Sequence, residues 1–347
     1  MELSSPFVLY RLPDEESINL IIDEHPIQYT DFQQLNEKVF IIEAFSKSSA
    51  SKNWAFHTDN SQIITGKTVQ NLQITTPEPR EYEAPVITGK DKHMQLVQTM
   101  VYQIQVGHIN KGVLSRIKEI NRKDESLNEL FLKLCKNYPN AFVYLMRLPN
   151  NEIWCGASPE VLAQYQNDHF KTMALAGTQL LNDKKVEELV WQTKEVDEQL
   201  WVQKHLIHIF NGLDIPYSKS ATYTAQAGKI AHLRNDFSCR IISQQAGQIL
   251  SKLHPTPAIC GTPTDKARDL ILRLEKHQRK YYTGYLGLYS PKQFQLFVNL
   301  RCMMISENHY YLFVGGGITA QSQAEKEWIE TENKAQTLAS IITSLQN

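Results

Sequence analysis

Gly315-Gly316-Gly317-Ile318 closes an apolar run, Tyr311-Leu312-Phe313-Val314, and after a short polar linker comes Glu325-Lys326-Glu327-Trp328-Ile329-Glu330-Thr331-Glu332-Asn333-Lys334. The apolar run reads as the end of a strand entering a glycine turn. There the backbone can approach a ligand and present bare N–H groups to it. The second stretch reads as the start of a helix. Glu327 and Glu330 lie three residues apart and Lys334 four further on, so all three share one face. Two carboxylates and an ammonium beside a glycine nest suit a divalent cation and an anionic ligand. Taken alone, such a pattern is more often a solvated helix with an ordinary Glu–Lys pair.

The elements upstream repeat this chemistry. Tyr282–Leu288, Gln293–Met304 and Tyr310–Val314 read as a three-strand antiparallel meander. Arg301 falls inside it, in a strand of buried type, where a guanidinium needs an anion or a carboxylate. Residues 264–276 read as a helix, and His254 to Pro263 as a rigid loop that can set backbone against a substrate. His232 lies in the apolar run 229–234, a setting that more often holds a satisfied core histidine than a catalytic one. A long helix from Lys184 to Phe210 carries Glu195 and Glu198, again three apart. Two helices that each offer a pair of acids can build an oxygen-ligand metal site.

Thr172 to Thr178 reads as a strand ending at Gly177, and Gly156-Ala157-Ser158-Pro159-Glu160 as a tight corner before the strand Val161–Tyr165. Ala141–Leu148 and Glu152–Ala157 pair around the turn at Pro149-Asn150-Asn151. Residues 91–107 form an amphipathic helix ended by Gly107. Lys111 then stands at the entry of a strand, and a further helix covers Ser126–Lys136. Residues 1–85 offer short strands for two or three hairpins and read as a strand-rich part of the same domain. A proline-bearing connector over 72–90 leads into the catalytic region, 86–347.

Composition narrows the class. The chain has 347 residues, 42% hydrophobic and 21% charged, with a formal net charge of −1. Those proportions are ordinary for a globular protein. The scattered Lys and Arg leave no footprint for nucleic acid, and no apolar run approaches a membrane span. The start of the chain has no signal-peptide pattern, so a cytoplasmic location is expected. The five cysteines are far apart with no CxxC pair, which argues against both zinc and a disulfide framework.

Together the motifs resemble those of the chorismate-utilising enzymes, most closely their isochorismate synthase members. The segments Lys111-x-Val-Leu-Ser-Arg116, Gly156-Ala-Ser-Pro-Glu160, Leu175-Ala-Gly-Thr178, Lys194-x-x-x-Glu198, His254-Pro-Thr-Pro-Ala258, Leu300-Arg-Cys302, Gly315-Gly-Gly-Ile318 and Glu327-Trp-x-Glu-Thr-x-x-Lys334 occur in that family's order. The resemblance covers about residues 90–345. It implies an α+β fold, two antiparallel β-sheets in a sandwich flanked by helices, with the active-site cleft between the sheets. It also implies chorismate as substrate, no obligatory protein partner, and Mg2+ held by Glu198 and Glu330 with Glu195 and Glu327 nearby. Arg301, backbone N–H groups around Gly315 and Gly317, and Tyr282 would hold the enolpyruvyl carboxylate. Lys334 would sit near the ring carboxylate, with Gly177 and His232 along the ring.

Three positions bear on which member it resembles. Lys111 stands where isochorismate and salicylate synthases have a general base and ammonia-dependent members usually have glutamine. Ala176 stands where aminodeoxychorismate synthase has a lysine nucleophile. Ala258 stands where salicylate synthases tend to have threonine. The implied reaction has Lys111 take a proton from water attacking C2 of the ring, while Glu160 protonates the departing C4 hydroxyl. Salicylate synthase and an ammonia-dependent, anthranilate synthase-like enzyme are the alternatives. The chain departs from the family pattern at Gln179-Leu180-Leu181, where arginines are frequent. It departs again at Gln199, where histidine often follows the glutamate, and at the extra acid Glu332.

Overall fold

From Phe7 to Tyr10 and from Phe142 to Met146 every residue is apolar, so strands there must be covered on both faces. The computed structural model describes residues 2–46, 51–76, 84–181, 185–227 and 230–346. It covers these strands by stacking two antiparallel sheets face to face, with helices on both outer sides. Val8, Tyr10, Phe142, Tyr144 and Met146 point between the sheets, whereas Phe7, Leu9, Val143 and Leu145 point outward beneath helices. This is the period-two alternation of a strand. The fold is the α+β sandwich that the motifs imply.

The first sheet has nine strands among the described residues, in the spatial order Gly261–Thr262, Lys111–Asn121, His309–Ile318, Cys302–Ile305, Ile153–Ser158, Phe142–Arg147, Phe7–Arg11, Ile18–Ile22 and Gln62–Ile64. The second runs Ser218–Lys219, Ile230–Arg240, His169–Leu180, Val161–Gln166, Gln293–Val298, Tyr285–Ser290, Val39–Glu43, Asn53–His57 and Ile27–Tyr29, with Tyr223–Ala227 also paired to Ile230–Arg240. Strands from the first 64 residues thus complete the far end of both sheets. An aromatic layer joins the sheets, with Phe142 stacked on Phe297 at 4.5 Å between ring centroids.

The helices Leu127–Asn137 and Ala324–Gln346 cover the first sheet through Leu130, Phe131, Leu338 and Ile342. Thr193–Gly212 and Ser243–Leu253 cover the second through Leu206, Phe210, Ile249 and Leu250. Each such side chain, fully buried, contributes about 1.5–3 kcal/mol. Local signals set several boundaries. The Ser126 hydroxyl accepts from the Glu129 N–H and starts the helix Leu127–Asn137. Gly107, at φ +76°, follows the helix Lys90–Gln105. All five cysteines are free. No helix among the described residues is long and apolar enough to cross a membrane.

Three expectations change. Gly315–Gly317 is not a turn. The strand His309–Ile318 runs straight through it, paired to Gly112–Asn121 with Gly315 opposite Ser115 and Gly317 opposite Val113. The meander is not one sheet either. Gln293–Val298 pairs with Tyr285–Ser290 in the second sheet, and Cys302–Ile305 with Tyr310–Phe313 in the first. The chain crosses between the sheets at Asn299–Arg301, where Arg301 takes a left-handed φ of 47°. Finally, the long helix begins at Thr193, after an isolated turn at Val186–Glu188. Lys184, Lys229 and part of the 72–90 connector lie outside the described residues.

Candidate active site

The chain also crosses between the sheets at Pro159-Glu160, between the strands Ile153–Ser158 and Val161–Gln166. Glu160 and Arg301 therefore each stand at a crossing, on the wall of one cleft. The cleft is open at its mouth and encloses about 850 Å³ of space between atoms, open solvent included.

One wall is the strand pair Lys111–Asn121 and His309–Ile318. Lys111 is 1% exposed, and Gly317 has no side chain where a Cβ would lie 3.0 Å from the Lys111 Cε. The strand Cys302–Ile305 reaches only to Phe313, so the glycines beyond it keep one open edge. The N–H groups of Ser115 and Val113, opposite Gly315 and Gly317, turn outward to the Glu275 Oε1 and the Cys260 carbonyl, at 2.7 and 2.8 Å. In an antiparallel pair, facing residues turn their N–H groups either both inward or both outward. The N–H groups of Gly315 and Gly317 therefore face the open edge, where Lys334 Nζ donates to the Gly315 carbonyl at 2.9 Å. The glycines offer donors to an anion as expected, but as a strand edge.

The opposite wall is the helix Thr193–Gly212 lying on the strand His169–Leu180. Gly177, at φ +70° beside a bulge, lets the helix come close, since a Cβ there would meet the Glu195 Cβ at 2.9 Å. Gln199 then registers the helix. Its amide donates to the Ala174 carbonyl at 2.8 Å and to Asn235 Oδ1 at 2.9 Å. That fixes Lys194, Glu195 and Glu198 toward the cleft. His232 Nδ1 donates to the Gly177 carbonyl at 2.7 Å. Burial, and then Arg301, push this imidazole down to about 4, so it is neutral at pH 7. It is a buried histidine tied to the backbone through Nδ1, and it is also part of the cleft lining.

Lys111, Lys194, Lys334 and Arg301 stand here among Glu160, Glu198, Glu327 and Glu330. Lys111 Nζ lies 3.5 Å from Glu198, and Lys334 Nζ 2.7 Å from Glu330. Lys194 Nζ lies 2.8 Å from Glu327 and 4.0 Å from Glu330. Burial works against the charge on Lys194, but Glu327, Glu330 and Glu198 outweigh it and raise its pKa. Burial also opposes the charge on Glu330, and Lys334 and Lys194 overcome it to hold that carboxyl below its usual range. Burial raises Glu327. Arg301 has no ion pair among the described residues. Burial pushes Glu160 up to about 7, against the pull of Lys111 and Arg301. A carboxyl so placed can still carry a proton near neutrality.

Lys111, Glu160, Gly177, Glu195, Glu198, His232, Ala258, Tyr282, Arg301, Gly315, Gly317, Glu330 and Lys334 all line this one cleft. Glu327 does not. It is 2% exposed and sits behind Gly316, where a Cβ would lie 3.4 Å from its Oε2. Lys194, quoted above only as part of a motif, lines the cleft and bridges two helices. Its i,i+4 spacing to Glu198 is the one signal that could have marked it. The extra acid Glu332 faces away and pairs with Arg116 and Lys118.

The acids do not form a ready cage: among the described residues no three of His, Cys, Asp and Glu converge to hold a metal. The donor set still suits a hard cation. Mg2+ takes one or two carboxylates plus waters and substrate oxygens. Glu198 and Glu330 offer those across the cleft, and Glu327 Oε2 is buried with no hydrogen-bond partner among the described residues.

Residues 29–343 match the chorismate binding enzyme family. The chain is 28% identical over 287 residues to the isochorismate synthase MenF of Escherichia coli (strain K12), covering 81% of this chain and 65% of that protein. It is 27% identical over 281 residues to the isochorismate synthase DhbC of Bacillus subtilis (strain 168), covering 76% and 67%. The match thus spans about two thirds of the length of these relatives. Among solved structures, the menaquinone-specific isochorismate synthase MenF of Escherichia coli superposes with a TM-score of 0.78 at 21% identity, over 98% of this chain and 90% of that one. That likeness establishes the fold.

Proposed function

The chain belongs to the chorismate binding enzyme family, and from that membership we propose that it is an isochorismate synthase, converting chorismate reversibly to isochorismate. The supporting observation is one cleft that joins a buried lysine, a carboxyl able to carry a proton near pH 7, and an arginine with no ion pair among the described residues. Isochorismate synthases among the relatives point the same way.

Chorismate carries two carboxylates. In this reading the enolpyruvyl carboxylate takes Arg301, whose planar fork suits it, and the outward N–H groups of Gly315 and Gly317. Tyr282 closes over Gly315, where a Cβ would lie 2.9 Å from its hydroxyl. Lys334 serves the ring carboxylate, and Gly177, His232 and Ala258 border the ring. Lys111 removes a proton from the water that bonds to C2. Glu160 gives its proton to the C4 oxygen as that bond breaks and the double bonds shift between. One water enters and one leaves, so the net change is an isomerisation. Glu198 and Glu330 would hold Mg2+, with Glu195 and Glu327 behind them. The cation would neutralise the ring carboxylate and draw electrons toward it.

The test is incubation of the purified chain with chorismate and Mg2+, with products separated by chromatography. Isochorismate alone is expected, and EDTA is expected to abolish it. Salicylate with pyruvate would replace this reading by salicylate synthase, and an amino product formed only with ammonium would replace it by the ammonia-dependent reaction. Activity that persists in EDTA would remove Mg2+ from the proposal.

A further inference from the structure

Ser158 takes part in no step above, yet it lies fully buried where the crossings at Pro159-Glu160 and Asn299–Arg301 meet. It pairs with Phe142, whose ring is in the layer between the sheets. Facing residues project to the same side, so the Ser158 hydroxyl also points between the sheets. Its Oγ donates to the carbonyl of Val298, the last residue of a strand in the other sheet. The Glu160 N–H points back at the same Oγ, at 3.5 Å.

Two further bonds close the junction. Val298 N–H donates to the Glu160 carbonyl at 3.0 Å, and Ala157 N–H donates to the Arg301 carbonyl at 3.1 Å. Gly156 lets the segments touch, because a Cβ there would lie 3.0 Å from the Arg301 carbonyl oxygen. Behind them Asn299 is held at both ends of its amide. Its Oδ1 accepts from the Tyr144 hydroxyl at 2.7 Å and its Nδ2 donates to the Tyr281 carbonyl at 2.9 Å. The Val298–Arg301 crossing is therefore anchored on its far side without Ser158.

We propose that Ser158 is a positioning residue that fixes Glu160 and Arg301 relative to one another, by tying the crossing that carries the proton donor to the crossing that carries the substrate-binding guanidinium. The inference rests on the chorismate reading of the cleft. A hydroxyl that only satisfied a buried carbonyl would act on stability alone. A hydroxyl that sets the distance between two working groups acts on turnover, because small misplacements of reacting groups are costly.

The experiment compares the full chain with Ser158→Ala and Ser158→Thr, measuring kcat and KM for chorismate with Mg2+, and Tm. Ser158→Ala is expected to lower kcat about tenfold and raise KM several-fold while Tm falls by only a few degrees. Ser158→Thr, which keeps the hydroxyl, is expected to recover most of the loss. Wild-type kcat and KM in Ser158→Ala, with only Tm lowered, overturn the proposal. Should Ser158→Ala not fold, the same values are read on Ser158→Cys, which keeps the volume and weakens the donor. If neither folds, the hydroxyl is a folding requirement and the proposal falls. A wild-type chain inactive on chorismate overturns the underlying reading, and does so before any variant is made.

Discussion

Lys111→Ala is expected to lower kcat for isochorismate formation by about a thousandfold, within the range that a positioned general base supplies. Lys111 is the largest charged side chain in the fully buried set, and its Nζ lies 3.5 Å from Glu198. KM is expected to change by less than tenfold, because Arg301, Lys334 and the Gly315 and Gly317 N–H groups remain. Removing a buried charge also costs stability. Both variants lose that charge, but Lys111→Met keeps most of the stem and leaves no cavity: it should fold with a smaller fall in Tm than the alanine variant and be as inactive. If either folded variant kept more than about a tenth of wild-type kcat, Lys111 could not be the base.

Glu160→Gln is expected to lower kcat by about 10²–10³-fold and to change the pH dependence. The working form of Glu160 is the protonated acid. Burial raises its pKa to about 7, so the acid is fully present well below pH 7 and is lost as pH rises through 7. Wild-type kcat/KM should therefore fall on the alkaline side, approaching tenfold per pH unit. Glutamine matches the shape of the protonated carboxyl but cannot release a proton. The residual activity of Glu160→Gln should lack that limb. An unchanged alkaline limb in the variant would assign it to another group and remove Glu160 as the acid.

The helices and hairpins of this chain were legible because local pattern and tertiary demand agree. Leu96, Val97, Met100 and Ile104 give the period of the helix Lys90–Gln105 and are its buried face. The paired strands around Asn150-Asn151 formed as read. The misreadings share one cause, which is that long-range partners overrode local preference. Glycine is a poor strand former, so Gly315–Gly317 looked like a turn. A partner strand more than 190 residues upstream holds it extended. The alternation of Gln293–Met304 continues smoothly through Asn299, so nothing local marked the change of sheet. Its causes are the buried bonds from Asn299 to Tyr144 and Tyr281.

The cleft lining was legible mainly through the resemblance of the motifs; spacing alone marked only the pairs Glu195–Glu198 and Glu327–Glu330, with Lys334. Lys194 was passed over because its partners, Glu327 and Glu330, lie on a helix more than 130 residues away. Glu327 shares a helix face with Glu330, as i,i+3 spacing requires. That spacing does not reveal that the glycine strand comes between Glu327 and the cleft.

The three adjacent glycines also determine which point mutations the gene can carry. Every glycine codon is one base from codons for larger residues, with alanine the smallest of them. At Gly315 even alanine fails, since its Cβ would lie 2.8 Å from the Leu114 carbonyl oxygen, which is backbone and cannot swing aside. At Gly317 it would press on both the Lys111 stem and the Glu198 carboxylate, at 3.0 and 3.1 Å. At Gly316 the nearest atom is 3.4 Å away, an ordinary contact. Natural variation at these neighbouring codons should therefore be uneven, with alanine tolerated at the middle position and absent from the two that flank it.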